Sequence, residues 1–509
     1  MRFAWPALEI RAETRRMKQK NGERASAPSP FCFAARSVRS ATVRIPCTIR
    51  PLPPLWRRAY AVGMTKSARC LFASLLLAAL VLPLPLAEVA AQEAQFRGNE
   101  RHTGEYAAEG VPALHGVRWS LPLGGQVIAS PAVVADTVYA AASNGLVVAA
   151  DRATGTRKWK FQIRSRIASS PAVADGLLLF AAYDGYFYAL DAQTGLLKWK
   201  FQSGGEHRFS AKNLHGTQPA AEVMPDPWDS YLSSPAIANG TVYFGSGDGN
   251  VYALNLTDGK LLWKFQTGDV VHASPALDGG TVFIGSWDRN FYALDAKTGQ
   301  EKWRFATGAD PAIHNQEGIQ SSAAVVNGTV YFGCRDSHLY AVDELTGQKK
   351  WAISTNGSWV VNSPAVSNGL VFFGTSDTSK LIAAHAENGE VAFTLDFRGW
   401  PIFASPAVAG KTLYIGTTGG ALHAVDLNTH TIAWSYATRA SQTTGAPFFK
   451  KDGSSDYFSA FGGGDFGFYD DIVAGYNKLL ATGSILSSPV VAGKMVLFGS
   501  VDGNLYALY

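Results

Sequence analysis

From Trp119 onward, apolar and polar positions fall into short alternating or β-branched runs, separated by DG, NG or TG pairs. Alternation with period two buries one face of each run, and the pairs supply the left-handed positions that tight hairpins need. The runs recur as a unit. Ser-Pro steps stand at Pro131, Pro171, Pro235, Pro275, Pro364, Pro406 and Pro489, with the variant Ser322-Ala323. All but the last lead to an aromatic 28 residues on (29 from Pro364), in turn Trp159, Trp199, Trp263, Trp303, Trp351, Phe393 and Trp434. Between the anchors the chain approximates SPAVxxGxVYFGSxDGxxYALDAxTGxxxW. Three strand-like runs and a fourth around the aromatic describe one blade of an all-β propeller, built of four-stranded antiparallel blades. The tryptophan is expected to pack on the neighbouring sheet, and NGT at Asn239 and Asn327 reads as a turn between the first two strands.

Eight Ser-Pro-type positions predict eight blades, yet the chain ends before a fourth strand can follow Pro489. Trp119 precedes Pro131 by the same 12 residues that separate Trp159 from Pro171. An N-terminal strand around Trp119 is therefore expected to complete the last blade and close the ring, leaving no open sheet edge. Most links from an aromatic to the next Ser-Pro step are 12 or 13 residues, but those after Trp199, Trp303 and Trp434 are 36, 20 and 55. Each long link joins the fourth strand of one blade to the first of the next, so 203–232, 308–320 and 440–485 are expected on one face. Rigid scaffolds carry their function on such loops. The 55-residue link is not a ninth blade: it lacks both anchors, and Ile472, Val473, Tyr476, Leu479 and Leu480 follow helical spacing.

Composition narrows the class. Hydrophobic residues make up 47% and charged residues 17% of 509, which excludes a disordered chain. The formal charge of +5 is misleading, because residues 1–63 hold 13 Lys and Arg against 3 Asp and Glu. The remainder of the chain is mildly acidic, which removes the case for nucleic-acid binding. From Met64 a basic stretch, the apolar run Leu71–Leu82 and small residues up to Ala91 read as a signal peptide. Residues 1–63 then read as an upstream extension outside the mature protein, 64–91 as the leader, and 92–509 as a single propeller, periplasmic or secreted. Only Cys334 follows residue 91, so the mature chain is expected to have no internal disulfide.

Departures from the repeat mark the candidate chemistry. Where most units carry DG between their second and third strands, three carry Trp287-Asp288-Arg289, Arg335-Asp336-Ser337-His338 and Ser376-Asp377-Thr378. The links beside them add His272, the run His314-Asn315-Gln316-Glu317, and Trp359. The topology gathers these groups at one sector of the channel mouth, where cations, amides and aromatics suit an anionic or carbonyl-bearing ligand, or a peptide. The competing reading gives Asp288, Asp336 and Asp377 a turn role, makes His272 a hydrogen-bonded histidine near an inner strand, and lets Trp287 and Trp359 fill the channel. The first long link adds His207, Arg208, His215, Asp226, Trp228 and Asp229, without metal-ligand spacing. No GxSxG, HExxH, phosphate loop or catalytic Cys/His signature is present.

The segment Ala189-Leu190-Asp191-Ala192-Gln193-Thr194-Gly195, followed by Trp199, resembles the pyrroloquinoline-quinone-type propeller repeat across roughly 119–509. The resemblance implies eight blades. It reaches quinoprotein dehydrogenases and also noncatalytic propellers, such as the lipoprotein subunit of the outer-membrane β-barrel assembly machine. In the enzymes it implies a disulfide of adjacent cysteines over the quinone, a calcium held by Glu, Asn and Asp, and a catalytic Asp. No adjacent cysteine pair is present here, and no motif match transfers those roles. The function expected is an exported, noncatalytic propeller binding an envelope protein or other ligand on the long-loop face, with no cofactor. The alternative is a dehydrogenase of alcohols or sugars using pyrroloquinoline quinone and calcium.

Overall fold

Turn chemistry sets the strand lengths. In four blades the Asp of DxxTG accepts hydrogen bonds at Oδ1 from the backbone N–H and hydroxyl of the Thr three residues on, as Asp191 does with Thr194 at 2.9 and 2.8 Å. The following Gly takes positive φ, as at Gly195 (φ 74°). Hairpins so defined assemble into eight four-stranded antiparallel sheets in a computed structural model, which describes residues 94–309, 317–456 and 467–509. Seven of the sheets run outward in chain order. The eighth combines 490–492, 495–499 and 504–508 with Val117–Pro122, and Trp119 pairs with Ala507. The expected closure is present. Residues 1–93, which hold the expected extension and leader, and His314, Asn315 and Gln316 lie outside the described residues.

The two anchors of the repeat hold neighbouring blades together. The indole N–H of Trp159 donates to the Ala192 carbonyl of the next blade at 3.0 Å, and Trp119, Trp199, Trp263, Trp303 and Trp351 repeat the bond. Each of these rings lies over the glycine that ends the turn between the third and fourth strands of that next blade; a Cβ at Gly195 would stand 2.6 Å from the Trp159 ring. In one blade the glycine position is His430, and there the aromatic that meets it is Phe393, stacked on the imidazole at 4.1 Å. The smaller ring makes room for the larger turn residue.

The serine of each Ser-Pro step faces the axis. The backbone N–H of Ser130 donates to Ser170 Oγ, and the pattern continues through Ser234, Ser274, Ser322, Ser363, Ser405 and Ser488. Ser488 donates back to Ser130 Oγ at 3.0 Å, so eight serines form an unbroken circle. Serine is suited to this place because its oxygen reaches the N–H of the preceding blade, which proline-terminated first strands leave otherwise unpaired.

A second ring seals the face opposite the long links. Residues 94–110 run around it and pair with successive first strands: Ala94 with Val173, the Gln95 side chain with Ile237, then the carbonyls of Glu100, Arg101, Thr103 and Gly104 with Leu277, Val325, Val366 and Val408. Gly110 reaches Gly493 in the last blade. This belt satisfies inner-strand backbone groups that the blades alone leave open.

Candidate functional site

The long links meet on one face. The first forms a hairpin, Ser210–Lys212 with Val223–Pro225, and its Gln218 pairs with Phe468 of the third link. Beyond Phe468, Tyr469–Leu480 is a helix that buries Ile472, Tyr476, Leu479 and Leu480, the spacing seen in the sequence. Tyr476 meets Trp228 of the first link at 5.2 Å and shares a hydrogen bond with Ser230. The mouth of the channel is filled by these rings together with Trp359, Val361, Phe403 and Leu486. Behind them the axial cavity, lined by the eight serines, His272 and Gln320, has a volume of about 40 Å³.

Seven of the residues singled out in the sequence, Arg335, Trp287, Trp359, His272, His215, Asp226 and Asp229, converge beneath this cap. The Arg335 guanidinium, 1% exposed, lies between two indoles, 4.4 Å from the Trp287 ring and 4.3 Å from the Trp359 ring. The far face of Trp287 is covered by Phe209 at 4.3 Å and nearly parallel. Arg335 also pairs with the buried carboxylate of Asp226 through Nη1 and donates to Gln320 Oε1 through Nε and Nη2. Burial opposes the charge of Asp226, but Arg335 and His215 beside it hold the carboxyl well below its usual range. His272 is clamped on both sides, Nδ1 at 2.7 Å from Asp229 and Nε2 at 2.8 Å from Glu206. Burial again works against charge, and the two carboxylates prevail, holding the imidazole well above its usual range.

The remaining candidates stay at the turns. Asp288 Oδ1 accepts from Asn290 N–H, and Oδ2 accepts from Gly268 N–H and the Tyr292 hydroxyl at 2.7 and 2.6 Å. Asp336 binds Gly308 N–H and the Tyr340 hydroxyl in the same way. Asp248 with Tyr252, and Asp502 with Tyr506, repeat the Asp–Tyr clamp in blades that carry ordinary DG turns. Asp377 instead accepts from Ser376 Oγ at 2.6 Å. Arg289 is exposed at φ 71°, and His338 sits beside the Asp336 carbonyl at 2.9 Å. Glu317 contributes its carbonyl to the buried thiol of Cys334 at 3.0 Å.

Sequence reasoning placed the cations and indoles together but missed Glu206, Phe209 and Gln320, which complete the cluster. One signal was available: a buried arginine needs a carboxylate, and the first long link offers Glu206, Asp226 and Asp229. The cluster does not fit a quinone. Organic ligands occupy roughly 300–1,000 Å³, whereas the axial cavity is about 40 Å³. The slot between Trp287 and Trp359 is taken by Arg335. Among the described residues no group of three or more His, Cys, Asp or Glu is placed to hold a metal.

No curated protein matches the chain. Among solved structures, BamB from Moraxella catarrhalis is similar at TM-score 0.55 and 19% identity, covering 77% of this chain and 97% of that one. A quinohemoprotein alcohol dehydrogenase from Comamonas testosteroni is similar at TM-score 0.59 and 14% identity, covering 81% of this chain and 80% of the other. Such low identities establish the fold alone. The family profile described as outer membrane protein assembly factor BamB matches residues 115–226, 215–358 and 354–509, nearly the whole propeller. With the eight-bladed ring and its Ser-Pro and TG-Trp anchors, that match makes the chain a member of this pyrroloquinoline-quinone-type propeller family.

Proposed function

We propose that the chain is an exported, noncatalytic propeller of the cell envelope, periplasmic or secreted, that binds a partner protein on the face carrying the long links. The observation that supports this most is the closure of that face. The buried cations that suggested a ligand site are paired, Arg335 with Asp226 and Gln320 and His272 with Asp229 and Glu206, and the outward surface is a composite cap with Val223 59% and Phe468 58% exposed. Exposed apolar side chains on a rigid, hydrogen-bonded cap suit a protein interface better than a small-molecule pocket. A leader directs export, and no helix among the described residues is long and apolar enough to cross a membrane.

Site-specific photocrosslinking tests this reading. A crosslinker at Val223 or Phe468 is expected to capture one discrete envelope protein, and one at Leu345, 85% exposed on the opposite rim, to capture none. Equal capture from both faces overturns it.

A further inference from the structure

The belt on the opposite face contains a cluster that sealing the ring does not require. Arg97 is 2% exposed and His102 fully buried, and each stands at left-handed φ, 61° and 55°. The Asn99 side chain fixes the loop between them, accepting from the backbone N–H of Arg101 and Thr103 and donating to Thr103 Oγ1. Gly104 lets the guanidinium lie against the backbone; a Cβ there would stand 2.1 Å from Arg97 Nη2. Nη2 donates to the Pro364 carbonyl at 3.1 Å. The Nε and Nη1 groups of Arg97, and both ring nitrogens of His102, are buried with no hydrogen-bond partner among the described residues. The Ala323 backbone lies beside the His102 ring without completing a hydrogen bond to it.

The nearby charged groups are committed elsewhere. Arg101 pairs outward with Asp278 at 2.9 Å, and Glu105 accepts from Ser367 at 2.7 Å. Burial, reinforced by Arg97, pushes the His102 imidazole down to about 3, so it stays neutral and offers an N–H. Two side chains therefore bring several donors and one uncompensated positive charge to a dry place. Burying such a charge is strongly unfavourable unless it is neutralised. Water can satisfy the N–H groups but not the charge.

We propose that the belt binds a small monovalent anion of halide chemistry, held by Arg97 Nε and Nη1 together with the His102 N–H. Small size follows from the close packing around the two side chains: Phe96 lies edge-on against His102 at 5.4 Å, and the Gly104 backbone lies directly against the guanidinium. Because the belt contacts seven blades, the anion would fasten the N-terminal segment to the finished ring. This inference is independent of the partner proposed for the other face.

Two experiments on the exported full chain test it. Bromide is the first probe: crystals grown in sodium bromide are expected to show an anomalous peak within hydrogen-bonding distance of Arg97 Nε or Nη1. In the second, chloride replaces gluconate at constant ionic strength. The wild-type melting temperature is expected to rise by about 1.5 °C per tenfold chloride above the dissociation constant. Arg97→Met should abolish that rise, and Arg101→Met, which removes an exposed cation of the same loop, should keep it. Electron density explained by water alone, without a bromide signal, overturns the proposal, as does a chloride response in Arg97→Met equal to wild type. Should Arg97→Met fail to fold, the bromide experiment on the wild-type chain decides alone.

Discussion

Replacing Arg335 by Met keeps an unbranched stem between Trp287 and Trp359 and removes the charge. Asp226, fully buried, is then left with the His215 ring at 3.5 Å and the Trp228 N–H at 2.9 Å. Gln320 loses two donors, at 3.2 and 2.8 Å. Removing one member of a buried ion pair typically costs about 3–5 kcal/mol, chiefly from the charge left behind. With an unfolding entropy of about 2 cal/mol/K per residue, a unit of this size melts about 1 °C lower per kcal/mol, so Arg335→Met should melt about 3–6 °C lower. Asp226→Leu alone should be equally harmful, because it strands the arginine. The double variant should recover at least about 2 kcal/mol of the summed losses, since both charges then leave together. Urea unfolding with calorimetry at pH 7 measures all three. A loss below about 1 kcal/mol for Arg335→Met, or strict additivity in the double variant, would refute the view that this pair neutralises itself and is not held ready for a ligand.

Other consequences follow from the ring. Ser274→Ala deprives the Ser234 N–H of its acceptor at 2.9 Å and should cost about 1–3 kcal/mol; a calorimetric change under about 0.5 kcal/mol would contradict the serine circle. Gly176 and Gly195 share nearly the same φ, 75° and 74°, but a Cβ meets nothing within 4 Å at Gly176 and the Trp159 ring at Gly195. Gly176→Ala should therefore cost about 1 kcal/mol, and Gly195→Ala about 1–3 kcal/mol more, by urea titration. Phe393→Trp should destabilise alone and be rescued by His430→Gly, with a coupling of about 1 kcal/mol in a double-mutant cycle. The raised pKa of His272 means its charge contributes fully below its unfolded value, near 6.5, and that the contribution is lost as pH rises through the folded value. Stability should thus fall above pH 6.5 by at most about 1.4 kcal/mol per unit, and His272→Gln should flatten that slope.

The propeller was legible because its anchors recur. A serine that must reach the preceding blade's N–H, and an aromatic that must cover the next blade's turn, recur around the ring, so their spacing declares blade number and closure. The helix at 469–480 was legible by its own period, and the common face of the long links followed from topology. The belt was not. It pairs through backbone groups with five first strands and through the Gln95 side chain with a sixth, so its residues carry no period, and Arg97 and His102 look ordinary in one dimension. The cluster around Arg335 was half legible: unusual residues stood out against the repeat, but their partners Glu206 and Gln320 lie in links with no repeat to depart from. Asp288 and Asp336 stood out for the neighbours they keep, whereas their Tyr clamps are those of ordinary blades.

On the proposed reading, the loop-bearing face is closed by its own charge pairs and serves a protein partner, with no room for a redox cofactor. The most direct test is equilibrium dialysis of the exported chain against pyrroloquinoline quinone and calcium, followed by the quinone absorbance and dye-linked alcohol or sugar oxidation. No retained quinone and no turnover above a protein-free control are expected. Stoichiometric retention with turnover would contradict the noncatalytic reading.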